Sequence, residues 1–220
     1  MHWHDPQNMP WLRAQSVRTF RKYNPTWDLR VIGTPADIAE KGLEYAQEAD
    51  WTWWRMLHDH GGFLVASDVI SLRPIPDEWR YADLCVQTRG GNVFQFAALG
   101  AAKDNGLMQC AEEACEGLAP IVASKNRNVY QALGVNLLSN LTCDHIEQFG
   151  SIYEMPESAF CFYDWAADVN SMWTVEGPTK YLPDDAIGVH WYGGHDESRI
   201  RESTAREGGP SWLERLASDS

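Results

Sequence analysis

The residues with chemistry to offer are Asp50, the Gly61-Gly62 pair, Ser67-Asp68 and His190, set among eleven tryptophans. Asp68 follows a continuous apolar run, Phe63-Leu64-Val65-Ala66, with only Ser67 between them. A run of that kind reads as a strand buried on both faces of a largely parallel sheet, so Ser67 and Asp68 emerge at its carboxyl end. In open α/β sheets, ligands collect in the crevice beyond the carboxyl ends of the strands. Mg2+ and Mn2+ favour carboxylate oxygens and keep coordination sites for phosphate and water. A cation held there would neutralise a departing diphosphate. Flat apolar rings stack on sugar faces and nucleobases. The group as a whole therefore suits a nucleoside-diphosphate donor.

Two functional classes are disfavoured by charge. Eighteen Lys and Arg against 31 Asp and Glu give a net charge of -13, and nucleic-acid affinity comes largely from basic side chains meeting phosphates. Anionic membrane surfaces are disfavoured for the same reason. The five cysteines, Cys85, Cys110, Cys115, Cys143 and Cys161, are scattered and form no CxxC pair. They support neither a disulfide framework nor a structural zinc site, and read as reduced thiols. No apolar run approaches the roughly 20 residues needed to span a bilayer, and Met1-His2-Trp3-His4-Asp5-Pro6 lacks the plan of a secretion signal. A soluble, cytoplasmic protein is the expectation.

The elements that must position these residues read as a βαβα opening. His2-Trp3-His4 suggests the end of a strand. Pro10 opens a helix with Trp11, Ala14, Val17 and Phe20 on one face, and Asn24-Pro25 stops it. Leu29 to Ile32 reads as a second strand, with Thr34 as N-cap and Pro35 at the first helical position. The following helix places Ile38, Ala46, Ala49, Trp53 and Met56 near one face, with room for a break near Glu48, and ends at His60-Gly61-Gly62. Further strands are expected at 84–87, 160–163 and 187–190, and further helices at 94–102, 109–116 and 128–133. The alternation is that of one α/β domain over residues 1–220, with 201–220 a terminal loop and short helix.

Through Asp50, then Gly61-Gly62, then Phe63-Leu64-Val65-Ala66-Ser67-Asp68-Val69, the chain resembles the DXD-containing sugar-binding region of the capsular-polysaccharide and mannosyltransferase-type glycosyltransferases. The catalytic core of the clostridial glucosylating toxins is related to it. The spacing of this block matches without a gap. Phe20-Arg21-Lys22-Tyr23-Asn24-Pro25 resembles the end of the family's first helix, and Ala186-Ile187-Gly188-Val189-His190-Trp191 its late strand; Asn92 and Phe162-Tyr163 fit more loosely. The resemblance covers most of the chain and is thin between residues 95 and 155. It implies a GT-A-type fold with a mostly parallel central sheet flanked by helices, and retaining transfer of a hexose from a UDP- or GDP-sugar. By the same resemblance, Trp3 stacks on the base, Asp50 orients the donor sugar, and Gly61, Gly62, Ser67 and Asn92 belong to the donor site. Asp68 and His190 would then hold Mn2+ or Mg2+, with Asp50 and Asp68 the catalytic pair. The acceptor, whether glycan, protein or small molecule, is not specified.

Two positions depart from the family pattern. Ala66 replaces the first aspartate of DXD, leaving only the second, and Trp53 stands where an arginine is usual. Arg55 is near Trp53 in sequence but about 200° away around a helix. Each site residue also has a plainer reading. Asp68 would be a solvated turn carboxylate, Asp50 a helix-surface carboxylate or internal cap, His190 a hydrogen-bonded core residue, and Trp3 an anchor for the first strand. Two other functions fit the same residues: a binding or scaffold protein whose catalysis is weakened, and a phage-type enzyme glycosylating modified DNA bases. The charge argues against the second.

Overall fold

The computed structural model describes residues 1–89, 93–124, 131–142 and 146–220. Helix α1 (Trp11–Tyr23) starts after Pro10. It stops at Asn24, whose amide and side-chain nitrogen both donate to the Phe20 carbonyl, at 2.9 and 3.1 Å. The face it buries is Leu12, Arg13, Ser16, Thr19 and Phe20, not the expected stripe through Trp11, Ala14 and Val17. A hydrogen bond from strand backbone to helix side chain explains the rotation. Thr19 Oγ1 accepts the Ser71 amide at 3.1 Å, so the small polar flank of α1 docks on the sheet.

The two opening strands shrink to one parallel bridge, His2 with Ile32. Thr34 does not cap a helix. Pro35 takes that position before the short α2 (Ala36–Ala39), while the Thr34 hydroxyl meets His2 Nε2 at 3.0 Å and donates to Glu48 at 3.2 Å. The break falls at residues 40–44, earlier than Glu48. A capping box of Glu44 and Gln47 then starts α3 (Tyr45–His60). Arg55 bonds Asp37 and Glu112, tying α2, α3 and α4 (Gly106–Ser124) together, so it does not stand in for the arginine missing at Trp53.

Strand β1 (Gly62–Val65) follows α3 as expected, β2 (Val69–Ser71) comes next, and β3 (Leu84–Arg89) and β6 (Gly188–His190) fall where the sequence places them. The main sheet has the order β1-β4-β3-β5, with β4 being Val93–Ala101 and β5 Ile152–Met155. Only β3–β5 is parallel; β1–β4, β3–β4 and the separate β2–β6 pair are antiparallel. The sheet is therefore mixed rather than mostly parallel. One cause is plain: three residues separate Arg89 from Val93, too few for a crossover connection, so β3 and β4 must run antiparallel.

β4 also corrects the helix expected at 94–102. Phe-Gln-Phe-Ala-Ala-Leu-Gly-Ala has high helix propensity through its alanines, but tertiary packing overrides it. Gly100 faces the Phe63 ring and the Cys85 Cβ so closely that an added Cβ would lie 2.8 and 2.9 Å from them. Small residues let the ring-rich α3 sit on β4: Phe96 meets Trp54 edge-on, centroids 5.3 Å apart, and stacks with Trp53 at 6.2 Å. The segment 160–163 is not a strand. It runs beside β6, and the Phe160 carbonyl accepts the His190 amide at 3.1 Å without forming a ladder.

The helix expected at 109–116 lies within α4; that expected at 128–133 falls partly outside the described residues, and α5 (Val135–Thr142) follows it. After α6 (Val169–Met172) come α7 (Asp196–Glu202) and the terminal α8 (Trp212–Asp219), capped by Ser211 and Glu214. Two apolar cores result. The larger lies between the main sheet and α3 and α4, and the smaller gathers Leu12, Ile70, Val189, Trp191 and Leu213 around the β2–β6 pair. Cys85, Cys115 and Cys161 are buried free thiols and Cys110 is exposed.

Candidate functional site

Ser67 and Asp68 link β1 to β2, so they stand at the seam between the two cores: Ala66 belongs to the larger one and Ile70 to the smaller. The β2–β6 register sets Val69 opposite His190. That pairing carries the imidazole to Asp68, with Nε2 3.2 Å from Oδ2. Asp68 Oδ2 also accepts the Gly193 amide at 2.7 Å, and the Asp68 carbonyl accepts the Trp191 amide at 3.0 Å. The other ring nitrogen of His190, Nδ1, lies 3.8 Å from Cys161 Sγ.

Electrostatics lock this pair. Burial would raise the Asp68 carboxyl, but the His190 charge and hydrogen bond, the Arg13 charge and the Gly193 amide together hold it well below the usual carboxylate range. For His190, burial works against protonation, yet the Asp68 charge and hydrogen bond outweigh it and push the imidazole up to about 10. The resting state is an imidazolium–carboxylate pair.

Arg13 is the residue that sequence reasoning missed. Its Nη1 donates to Ser67 Oγ at 2.8 Å and its Nε to Glu202 at 2.7 Å. Its guanidinium carbon lies 4.7 Å from the ring centroids of both Trp3 and Trp191, distances at which a cation is attracted to the π face. Gly193 packs against it, and a Cβ there would overlap the guanidinium. So Trp3, Ser67, Asp68, Gly193 and Glu202 converge on one side chain. The available signal was phase: Arg13 shares the helical stripe of Ser16 and Phe20, and a cation on a helix's buried face needs partners.

The remaining expected residues are placed differently. Trp3 is half-buried, and its indole N–H finds no acceptor among the described residues. Gly61 (φ +66°) and Gly62 (φ +107°) make the turn between α3 and β1, where an added Cβ on Gly61 would come within 2.5 Å of the Lys103 amide nitrogen. Backbone geometry thus accounts for both glycines, and they sit at the opposite end of β1 from Asp68. Asn92 lies outside the described residues.

Among the described residues Asp50 makes no direct contact with the cluster; its carboxyl packs on Gly134, just ahead of α5, where a Cβ would overlap it. The helix–turn–strand hairpin nonetheless carries it in the right direction. Ten residues of α3 rise about 15 Å and the strand Gly62–Val65 about 13 Å. Asp50 and Asp68 therefore both lie far from the Gly61 turn, at the same end of the hairpin. Burial pushes the Asp50 carboxyl up to about 8, so near neutrality it is largely a protonated acid that can both donate and accept a hydrogen bond.

As a metal site, Asp68 would supply one oxygen, and His190 a nitrogen once its imidazole gives up the proton it shares with Asp68 Oδ2. Among the described residues no group of three or more His, Cys, Asp or Glu side chains is placed to hold a metal ion. Two protein ligands suit Mg2+ or Mn2+ that shares its remaining positions with phosphate and water. The neighbouring Cys161 sits on the far nitrogen of the ring and would orient it rather than bind the same ion. No helix among the described residues is long and apolar enough to cross a membrane. No protein-family model matches the chain, and comparison with curated proteins finds no match.

Proposed function

We propose that this chain is a hexosyltransferase of GT-A type that uses a UDP- or GDP-sugar. The observation that carries the reading is the meeting of Asp68 and His190, distant in sequence, beside Ser67, Arg13 and Trp3. That cluster has what a nucleoside-diphosphate leaving group requires: cationic charge, carboxylate oxygen and an aromatic platform. Asp68 and His190 would hold Mn2+ or Mg2+, and a cation bound there supplies charge neutralisation for the departing diphosphate. Arg13, its charge paired with Glu202, braces Ser67 and the Trp3 ring beside it. Asp50, as a neutral acid, orients the donor hexose by donating to one hydroxyl and accepting from another. Trp3 receives the base.

The deciding experiment is thermal shift with a panel of UDP- and GDP-sugars, with and without manganese, because a ligand that binds only the native state raises its melting temperature. A manganese-dependent shift with one donor is expected, and Asp68→Ala should abolish it. A shift that survives Asp68→Ala removes the metal role, and no shift with any donor rejects the reading.

A second reading has a specific observation in its favour. Asp68 is already neutralised inside the protein by His190 and the Gly193 amide, and Ala66 and Trp53 are buried apolar residues at positions where the resembling enzymes carry polar ones. A binding or scaffold protein with weakened catalysis fits those facts. Turnover of a nucleotide sugar by the isolated chain would exclude it. The phage-type DNA-base transferase has no such support, and salt-sensitive DNA binding is the result that would restore it.

A further inference from the structure

Trp165 keeps 44% of its surface open to solvent. Its ring contacts Tyr192 edge-to-face, centroids 5.9 Å apart, and His195 at 5.0 Å. The Tyr192 ring in turn lies 4.1 Å from that of His190, the partner of Asp68. A run of rings therefore leads from open solvent to the candidate centre in two steps.

The turn that carries Trp165 is held from several sides. Asp164 Oδ1 accepts the Ala166 and Ala167 amides, each at 2.8 Å. The Asp164 amide donates to Asp168 Oδ2 at 2.8 Å, and the Asp168 amide donates back to the Asp164 carbonyl at 2.9 Å. Lys180 binds the same Asp168 oxygen at 2.8 Å, and Arg89 pairs with Asp164. Beneath, Tyr192 donates its hydroxyl to the Tyr163 carbonyl at 2.7 Å. The turn that carries the indole is thus held in place before any ligand arrives, which removes part of the entropic cost of binding.

We propose that Trp165 is the stacking platform for the acceptor, and that the acceptor is a pyranose residue of a glycan. This rests on reading the Asp68 cluster as a hexosyltransferase centre. The C–H face of a pyranose is apolar and meets the negative face of an indole well, while its hydroxyls need polar groups at the rim. Arg89, which pairs with Asp164 of the turn, and His195, whose ring meets the indole, stand beside it to supply them. A phosphate-rich acceptor would meet a chain of net charge -13. In the transfer, an acceptor hydroxyl oxygen bonds to the donor's anomeric carbon as the bond from that carbon to the diphosphate oxygen breaks. The hydroxyl proton leaves with the nucleoside diphosphate.

The test is the indole N–H spectrum of the 15N-labelled chain, with the Trp165 signal assigned by its loss in Trp165→Phe. Maltose, cellobiose and mannobiose are titrated separately from UDP and GDP with manganese. One disaccharide should move the Trp165 signal saturably, and Trp165→Ala should bind that sugar at least tenfold more weakly by calorimetry with its nucleotide affinity intact. Trp165→Phe, which keeps a ring, should retain most of the binding. Sugars that leave Trp165 unmoved while nucleotides move the Trp3 signal overturn the platform and leave the transferase reading standing. Sugars that move Trp165 while nucleotides move nothing overturn the transferase reading and the acceptor role with it. A serine- or threonine-containing peptide that moves Trp165 where the sugars do not overturns the glycan assignment.

Discussion

His190 Nε2 lies 3.2 Å from Asp68 Oδ2, and the Val69–His190 pairing of the β2–β6 ladder is what holds them there. Because the contact is set by backbone register, its energy should appear in the stability of the whole fold. The imidazole rises from 6.5 to about 10 on folding, so the stabilisation is complete below pH 6.5 and is lost as pH climbs towards 10. The depressed Asp68 carboxyl sets the acid limit: its share is present above 3.8 and is lost as pH falls through its low native value. Urea unfolding between pH 6 and pH 10 should show a loss of which about 2–4 kcal/mol belongs to this pair, with the buried Asp50 carboxyl adding its own share below pH 8. The same series on His190→Gln should be markedly flatter, and equal slopes would place the proton elsewhere.

Asp50 has the opposite character. Its carboxyl rises from 3.8 to about 8 through burial, so over that range the folded chain keeps a proton that the unfolded chain has released. Stability must fall as pH rises from 4 to 8. Asp50→Asn removes the titration and keeps the shape. It should stabilise the protein by about 1–3 kcal/mol at pH 8, a difference that shrinks to nothing near pH 4. Melting curves at the two pH values measure it. A variant less stable than the native protein at pH 8 would mean that Asp50 is an ionised, partnered carboxylate in the free protein.

Much of this arrangement was legible in the sequence, for physical reasons that differ from place to place. Proline and glycine mark α1 and the α3–β1 turn, because each restricts or frees the backbone in its own way, and the apolar run ahead of Asp68 finds β1. The family resemblance made Asp68 and His190 ligands of one cation, and their direct ion pair was not legible, since no local pattern encodes a contact made through the β2–β6 register. The misread parts share one cause. β4 is alanine-rich and α1 buries Arg13, Ser16 and Thr19, so in both the identity of the neighbour decides the structure: the tryptophans of α3 over β4, and Ser67 and Ser71 against α1. Strand direction, likewise, depended on connection lengths that hydrophobic pattern does not report.

Arg13 provides a test of how closely the cluster is fitted. Its planar fork reaches Ser67 and Glu202 at once and faces two indole rings. Lysine keeps the charge but has neither the fork nor the flat face. Arg13→Lys should therefore lower stability by about 2–3 kcal/mol, close to the loss expected for Arg13→Met. Gly193→Ala attacks the same packing from the other side, since its Cβ would meet the guanidinium. Combining Arg13→Met with Gly193→Ala should then cost less than the sum of the single changes in urea unfolding. Strict additivity would show that the two positions do not share space.

Trp3 separates recognition from folding most cleanly. Its indole N–H has no acceptor among the described residues, so replacing it by phenylalanine removes an unsatisfied donor and keeps an aromatic face for Arg13. Trp3→Phe should therefore change stability by less than about 1 kcal/mol. Trp3→Ala removes the face as well, and should weaken UDP or GDP binding by about 1–3 kcal/mol if the base stacks there. Calorimetry with nucleotide, set beside urea unfolding of the same variants, distinguishes the two roles. Nucleotide affinity that falls in Trp3→Ala by more than its stability change explains assigns the ring to the base. A large loss of stability with unaltered affinity assigns it to the core around Arg13.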